Sequence, residues 1–151
     1  MAEILQLVSF NLDTEEFGVD IGAVQEIVRM PEITKVPRSP DFVEGVVNLR
    51  GKIIPVVDLR KRFRLPLGEA TKSTRIIIVT IGGKTVGMIV DGVSEVLRLD
   101  AASVEPPPEM VTTAIDSAFL KGIAKLEGRL LILLDLELIL NQDETRALAR
   151  V

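Results

Sequence analysis

The chain states one pattern twice, and that constrains its fold more than anything else in it. Residues 42–59 read FVEGVVNLRGKIIPVVDL, and residues 119–136 read FLKGIAKLEGRLLILLDL. At this offset of 77 positions, Phe42/Phe119, Gly45/Gly122, Leu49/Leu126, Gly51/Gly128, Asp58/Asp135 and Leu59/Leu136 are identical. A second stretch, 17–29, lies over 86–98 and matches Gly18/Gly87, Val24/Val93, Glu26/Glu95 and Arg29/Arg98. A period this long exceeds a solenoid unit and implies two related modules. In 151 residues each half alone would be marginal, so the modules are expected to share a core or pack tightly.

Composition narrows the chemistry. With 18 basic and 22 acidic residues the formal charge is −4, which argues against a broad footprint for nucleic acid or anionic membrane. Cysteine is absent, so there are no disulfides or thiol chemistry. Histidine is also absent, which removes the usual general base and the commonest metal ligand. No cofactor or metal is expected. The start has no basic-then-apolar signal pattern, and the longest apolar runs, IIIV and LLILL, are too short to span a bilayer. Cytoplasmic is the expected location.

Residues 4–12 and 17–20 read as strands. Ile21, Val24, Ile27 and Val28 recur at helical spacing and predict a short amphipathic helix ending before Pro31. Val43–Leu49 and Lys52–Val57 read as a hairpin turning at Arg50-Gly51. Pro55 suggests that its strand is an edge or carries a bulge. Asp58 is placed to cap a helix running to Phe63. Thr74–Ile81 and Thr85–Val90 form a second hairpin across Gly82-Gly83-Lys84, then Gly92–Leu97 reads as a short helix or turn. Pro106-Pro107-Pro108 marks a longer loop. Ile123–Leu126 and Leu130–Leu134 repeat the hairpin, Asp135 opens a helix near Leu136–Leu140, and 143–150 reads as a charged helix. Many short strands with glycine turns predict a mainly β protein of two small antiparallel barrels.

Few residues suggest chemistry. Gly83-Lys84-Thr85 resembles the end of a phosphate loop, but the required upstream glycine is Ile78 and a strand follows instead of a helix. Arg60-Lys61-Arg62-Phe63-Arg64 is a dense basic run that reads either as a nucleic-acid patch or as a solvated helix end. The matched Asp58 and Asp135 suit a duplicated structural role better than acid–base work. Arg50 stands out: it occupies a hairpin tip where the second copy has Glu127. Its planar fork suits partner recognition, although a plain surface arginine fits the residues equally. Val24 and Ile27 read as core or interface, and Glu26 as exposed.

Four segments together resemble the CheW family of chemotaxis adaptors: VQEI at 24–27, PDFVEGVVNLRGKIIPVVDLRKRF at 40–63, VGMIVDGVSEVL at 86–97 and GRLLILLDLELIL at 128–140. The likeness runs from about residue 4 to about 145, and NLRG followed by the IPVVDL strand is its most specific element. The resemblance implies a single CheW-like domain over 1–151, made of two intertwined five-stranded SH3-like barrels with short helices. The expected subdomains are 14–82 for one barrel, and 1–13 plus 83–151 for the other. It implies a non-catalytic adaptor that binds the cytoplasmic tip of methyl-accepting chemotaxis receptors and the regulatory domain of the histidine kinase CheA. Neither nucleic acid binding nor direct membrane insertion is expected; the protein would be recruited to membrane-associated receptor arrays. Position by position, the receptor-binding set would be Val24, Glu26, Ile27, Gly45 and Arg50, with Val93 and Val96 as further partner-binding positions. An oligonucleotide-binding small barrel is the rival reading of the same strands.

Overall fold

The computed structural model describes residues 3–37, 43–63, 65–66, 70–106 and 120–139. Its strands in chain order are β1 (Ile4–Leu12), β2 (Glu15–Asp20), β3 (Val24–Arg29), β4 (Val43–Leu49), β5 (Lys52–Asp58), β6 (Arg75–Ile81), β7 (Lys84–Val90), β8 (Gly92–Asp100), β9 (Val104–Glu105), β10 (Leu120–Leu126) and β11 (Arg129–Leu134). Two short helices, α1 (Leu59–Arg62) and α2 (Leu136–Ile139), follow β5 and β11. The mainly β expectation holds.

The strands form two sheets, ordered β8-β1-β2-β11-β10-β9 and β3-β6-β7-β5-β4. Each closes on itself. β8 and β9 are joined by one 3-10 turn, Ala101–Ser103, and β9 pairs with β10 on the far side. Likewise Thr34, downstream of β3, exchanges two backbone hydrogen bonds with Val46 of β4. Counting β8 and β9 as one bent strand, each barrel has five strands among the described residues.

The repeat explains the intertwining. β1 and β2 belong to the first copy but sit with β8–β11 of the second; β6 and β7 of the second copy sit with β3–β5 of the first. Each copy therefore lends its leading hairpin to the other's sheet, and short parallel pairings, β5–β7 and β2–β11, weld the loan. The subdomain boundaries expected above (14–82; 1–13 plus 83–151) differ from this sheet membership at two strands. β2 belongs with β1, and β7 belongs with β3–β6, because a leading hairpin crosses as a unit.

Among the described residues, three apolar clusters follow. Ile54, Val56, Ile76 and Ile78 fill one barrel, and Leu7, Ala124, Leu131 and Leu133 fill the other. The largest cluster lies between the barrels and draws on both sheets, including Phe10, Phe17, Leu134, Ile77 and Met88. Phe17 is sandwiched there, its ring 5.9 Å from Phe10 and 5.7 Å from Phe63. The expected shared core is present.

Two helix readings are corrected. Ile21–Ala23 is a single 3-10 turn and Val24–Arg29 is a strand; Gly92–Leu97 likewise lies in β8. The cause is a β-bulge at the same place in both copies, at Gln25 between Val24 and Glu26, and at Ser94 between Val93 and Glu95. A bulge adds one residue and breaks the alternation, so apolar residues fall at mixed spacing that mimics a helix. Pro55 is neither on an edge strand nor at a bulge. β5 lies between β7 and β4, and Val46, opposite Pro55, turns its own bonds toward Thr34. The missing proline N–H therefore points toward β7, whose pairing begins only at Val56. Asp58 caps α1 by accepting the Arg60 amide at 2.9 Å, and Asp135 accepts the Glu137 amide at 3.0 Å. The expected helix at 143–150, Phe42, Phe119 and most of the proline loop lie outside the described residues.

Candidate functional site

The β4–β5 hairpin builds the candidate site from its turn outward. Arg50 (φ 54°) and Gly51 (φ 85°) are both left-handed, as a two-residue type I′ turn requires. Asn48 braces the turn by accepting the Gly51 amide at 2.8 Å. Glycine enters this region freely, but arginine does so at a steric cost. The equivalent Gly128 is left-handed (φ 73°) whereas Glu127 is not, so the two hairpins turn differently. The turn thus holds Arg50 in a conformation it would not choose, with its side chain fixed by β3.

That fixing is an ion pair. Arg50 Nη1 donates to Glu26 Oε1 at 3.1 Å, and Nη2 donates to Glu26 Oε2, a two-pronged contact. The Arg50 hydrogen bond is the main reason the Glu26 carboxyl sits below its ordinary value; burial opposes it and the arginine charge adds to it. Reciprocally, the Glu26 bond and charge raise Arg50. The bulge at Gln25 makes the contact possible. Val24 turns into the shared core, whereas Glu26, paired with Ile78, takes the opposite face. Gln25 itself reaches Thr80 Oγ1 at 2.9 Å and Thr85 Oγ1 at 3.2 Å.

Beneath the pair is a hollow of about 190 Å³ lined by Gln25, Glu26, Arg50, Lys52, Ile54 and Ile78 among others. Its mixed lining suits an apolar side chain flanked by charge. A larger hollow of about 550 Å³ opens where β2 diverges from β11, lined by Asp20, Arg98 and Lys121 among others. None of the candidate residues lines it, so it does not mark the site.

The sequence-derived residues divide into groups. Glu26 and Arg50 meet. Ile27 follows Glu26 and is 41% exposed, available to a partner. Val24 and Val93 are half-buried against the shared core, and Val96 on β8 is 55% exposed. Gly45 serves the scaffold. At φ 151° it passes under the Thr34 crossing, where a Cβ would lie 2.2 Å from the Thr34 carbonyl oxygen. Gly122 does the same beneath Glu105.

Sequence reading set Arg50 against Glu127 and missed a symmetry. Glu95, the equivalent of Glu26, also meets an arginine of the neighbouring hairpin, Arg129, at 2.5 Å. Arg129 stands two residues after Glu127, so the second copy moves its arginine instead of losing it. The exposed apolar residues follow the repeat as well: Ile27 matches Val96, and Ile53 (59% exposed) matches Leu130 (56% exposed). The signal was the Glu26/Glu95 identity. The basic run is occupied by tertiary ties: Arg60 with Asp91, Lys61 with Glu44, and Arg62 Nε with the Ile139 carbonyl at 2.8 Å.

Comparison with known proteins agrees with the fold. The CheW-like domain matches residues 6–144. The chain belongs to the CheW-like family. The chemotaxis protein CheW of Klebsiella aerogenes is 42% identical over 135 residues, covering 89% of this chain and 81% of that protein. The Bacillus subtilis CheW is 34% identical over 142 residues, covering 94% and 90%. The crystal structure of the scaffolding protein TtCheW from Thermoanaerobacter tengcongensis superposes with a TM-score of 0.84 at 44% identity, covering 95% of this chain and 92% of that one. CheW-like proteins are non-catalytic scaffolds, and this chain is one of them. Among the described residues, no helix is long and apolar enough to cross a membrane.

Proposed function

We propose that this chain is a chemotaxis adaptor that couples receptors to the kinase CheA within membrane-associated arrays. Its relatives are chemotaxis proteins and a scaffolding protein, which supports the adaptor role. The observation that carries the receptor assignment is the two-pronged Glu26–Arg50 pair, held on a braced turn above a half-apolar hollow. A receptor tip is a helical hairpin, and one apolar helix residue would enter the hollow while Glu26 and Arg50 read its charged neighbours. Polar rims set specificity more than affinity, and a pre-positioned arginine loses little freedom on binding.

Ile27 extends the receptor surface along β3, Val24 backs that strand from the shared core, and Gly45 supports it by letting Thr34 cross β4. Val93 and Val96, with Leu130, present a second surface on the other barrel for the CheA regulatory domain. The oligonucleotide-barrel reading loses its main support, since Arg60, Lys61 and Arg62 are engaged within the protein. The deciding experiment is a titration of the protein with a receptor-tip fragment and, separately, with a CheA regulatory domain. Both should bind, and Arg50→Glu should weaken only the receptor fragment. Equal receptor binding by wild type and variant would overturn the assignment.

A further inference from the structure

Each short helix lies against a hairpin turn of the other sheet. α1 follows β5 of the five-stranded sheet, and its Arg60 donates to Asp91 Oδ1 at 2.8 Å from Nε and to Oδ2 at 2.5 Å from Nη2. The same carboxylate accepts the Asp13 amide at 2.7 Å. Asp13 is the left-handed residue (φ 56°) of the β1–β2 turn in the other sheet, and the Asp91 amide returns a bond to the Asn11 carbonyl at 2.9 Å. α2 follows β11 of the six-stranded sheet. Its Glu137 accepts the Gly82 amide at 2.9 Å, at the β6–β7 turn of the five-stranded sheet.

Arg60 and Glu137 occupy matching positions of the repeat, 77 apart, with opposite charge. The reversal has a chemical reason. A turn presents N–H donors; a glutamate accepts from them directly, whereas a guanidinium has donors only. Arg60 therefore needs a carboxylate between itself and Asp13. Asp91 supplies it from the single residue linking β7 to β8. Apolar burial between the barrels is non-directional and resists their separation more than their rotation, while hydrogen bonds tolerate little misalignment.

We propose that Arg60–Asp91–Asp13 and Glu137–Gly82 are paired clamps that set the angle between the two barrels, making Arg60, Asp91 and Glu137 positioning residues for coupling. This rests on the adaptor reading, because the clamped strands carry its two surfaces. β5 leads back through the hairpin to Arg50, and β8 starts beside Asp91 and carries Val93 and Val96. A shift at the receptor surface reaches the second surface only if that angle is held.

Residual dipolar couplings measured on the full chain test the clamps. In the wild type, one alignment frame should describe both sheets. In Arg60→Gln/Glu137→Ala each sheet should keep its internal couplings, but the two should need separate frames. Affinities for a receptor-tip fragment and for the CheA regulatory domain should stay within about twofold, while receptor-dependent kinase stimulation falls about fivefold or more. A double variant with a single frame at the wild-type angle overturns the proposal. If the double variant does not fold, Asp91→Asn and Glu137→Gln carry the comparison: the first should alter the angle, and the second, which keeps an acceptor, should not. A wild type that fails to bridge receptor and kinase would refute the adaptor reading, and the couplings would still decide the clamps.

Discussion

Gly45 and Arg50 sit five residues apart and fail for different reasons when changed. Gly45 has no room: any side chain meets the Thr34 carbonyl, and φ 151° is strained for other residues. Gly45→Ala should lower stability by about 2–4 kcal/mol, read by urea denaturation, so a binding defect there would trace to folding. Gly51 has nothing within 4 Å, so Gly51→Ala should cost only about 1 kcal/mol through its positive φ. Arg50 is the reverse case. Its backbone is strained and its exposed ion pair adds little to stability, so Arg50→Asn should melt no lower than wild type. Receptor-tip affinity should nonetheless fall about tenfold in that variant, measured by calorimetry. Glu26 has a lowered pKa, so its pair with Arg50 is intact above the ordinary glutamate range and is lost as pH falls through the lowered value. Glu26 and Arg50 were legible in the sequence because the repeat marked them; the role of Gly45 was not, since it depends on where a distant segment crosses.

At the scale of elements, the hairpins and caps were readable and the bulged strands were not. The turns at Arg50-Gly51 and Gly82-Gly83 announce themselves because their backbone angles demand particular residues. The caps Asp58 and Asp135 are readable for the same local reason. Asp58→Ala should lower stability by about 1 kcal/mol in thermal melts. Burial is the main cause holding the Asp58 carboxyl above its ordinary pKa, against the Arg60 amide bond that lowers it. Its ionisation therefore works against the fold, progressively as pH rises from the ordinary aspartate range and fully once pH exceeds the raised value. Asp58→Asn keeps an acceptor without the charge and should be milder than alanine at neutral pH. β3 and β8 misread as helix because one extra residue per strand sends Val24 and Val28 into different cores. Residue patterns record burial, not the core in which a residue is buried.

At the scale of the molecule, the exchange of leading hairpins makes the two copies interdependent. Fragments 1–72 and 73–151 each lack the hairpin that completes their barrel, so each alone should show little strand signal by circular dichroism. Mixed, they should recover it. Phe17→Ala should cost about 3–5 kcal/mol and lower both sheets together in a single hydrogen-exchange transition, since its ring bridges Phe10 and Phe63. Acid should also act between barrels. Burial pushes Asp91 up, but bonds from Arg60 and the Asp13 amide, with the Arg60 charge, outweigh it and leave the carboxyl lowered. Its contribution is whole above the ordinary aspartate value of the unfolded chain and disappears as pH falls through the lowered one. Asp91→Asn should therefore be less stable at neutral pH and lose less on acidification, measured by denaturation at a series of pH values. By itself the sequence determined the duplication and the family, which are written in the order of its residues, and the hairpins, turns and helix caps, which are written in local residue preferences. Only the tertiary structure decided which hairpin completes which barrel, and therefore that Glu26 meets Arg50 and Arg60 meets Asp91. Strand periodicity says that a face is buried; the partner is chosen by packing between residues far apart in the chain.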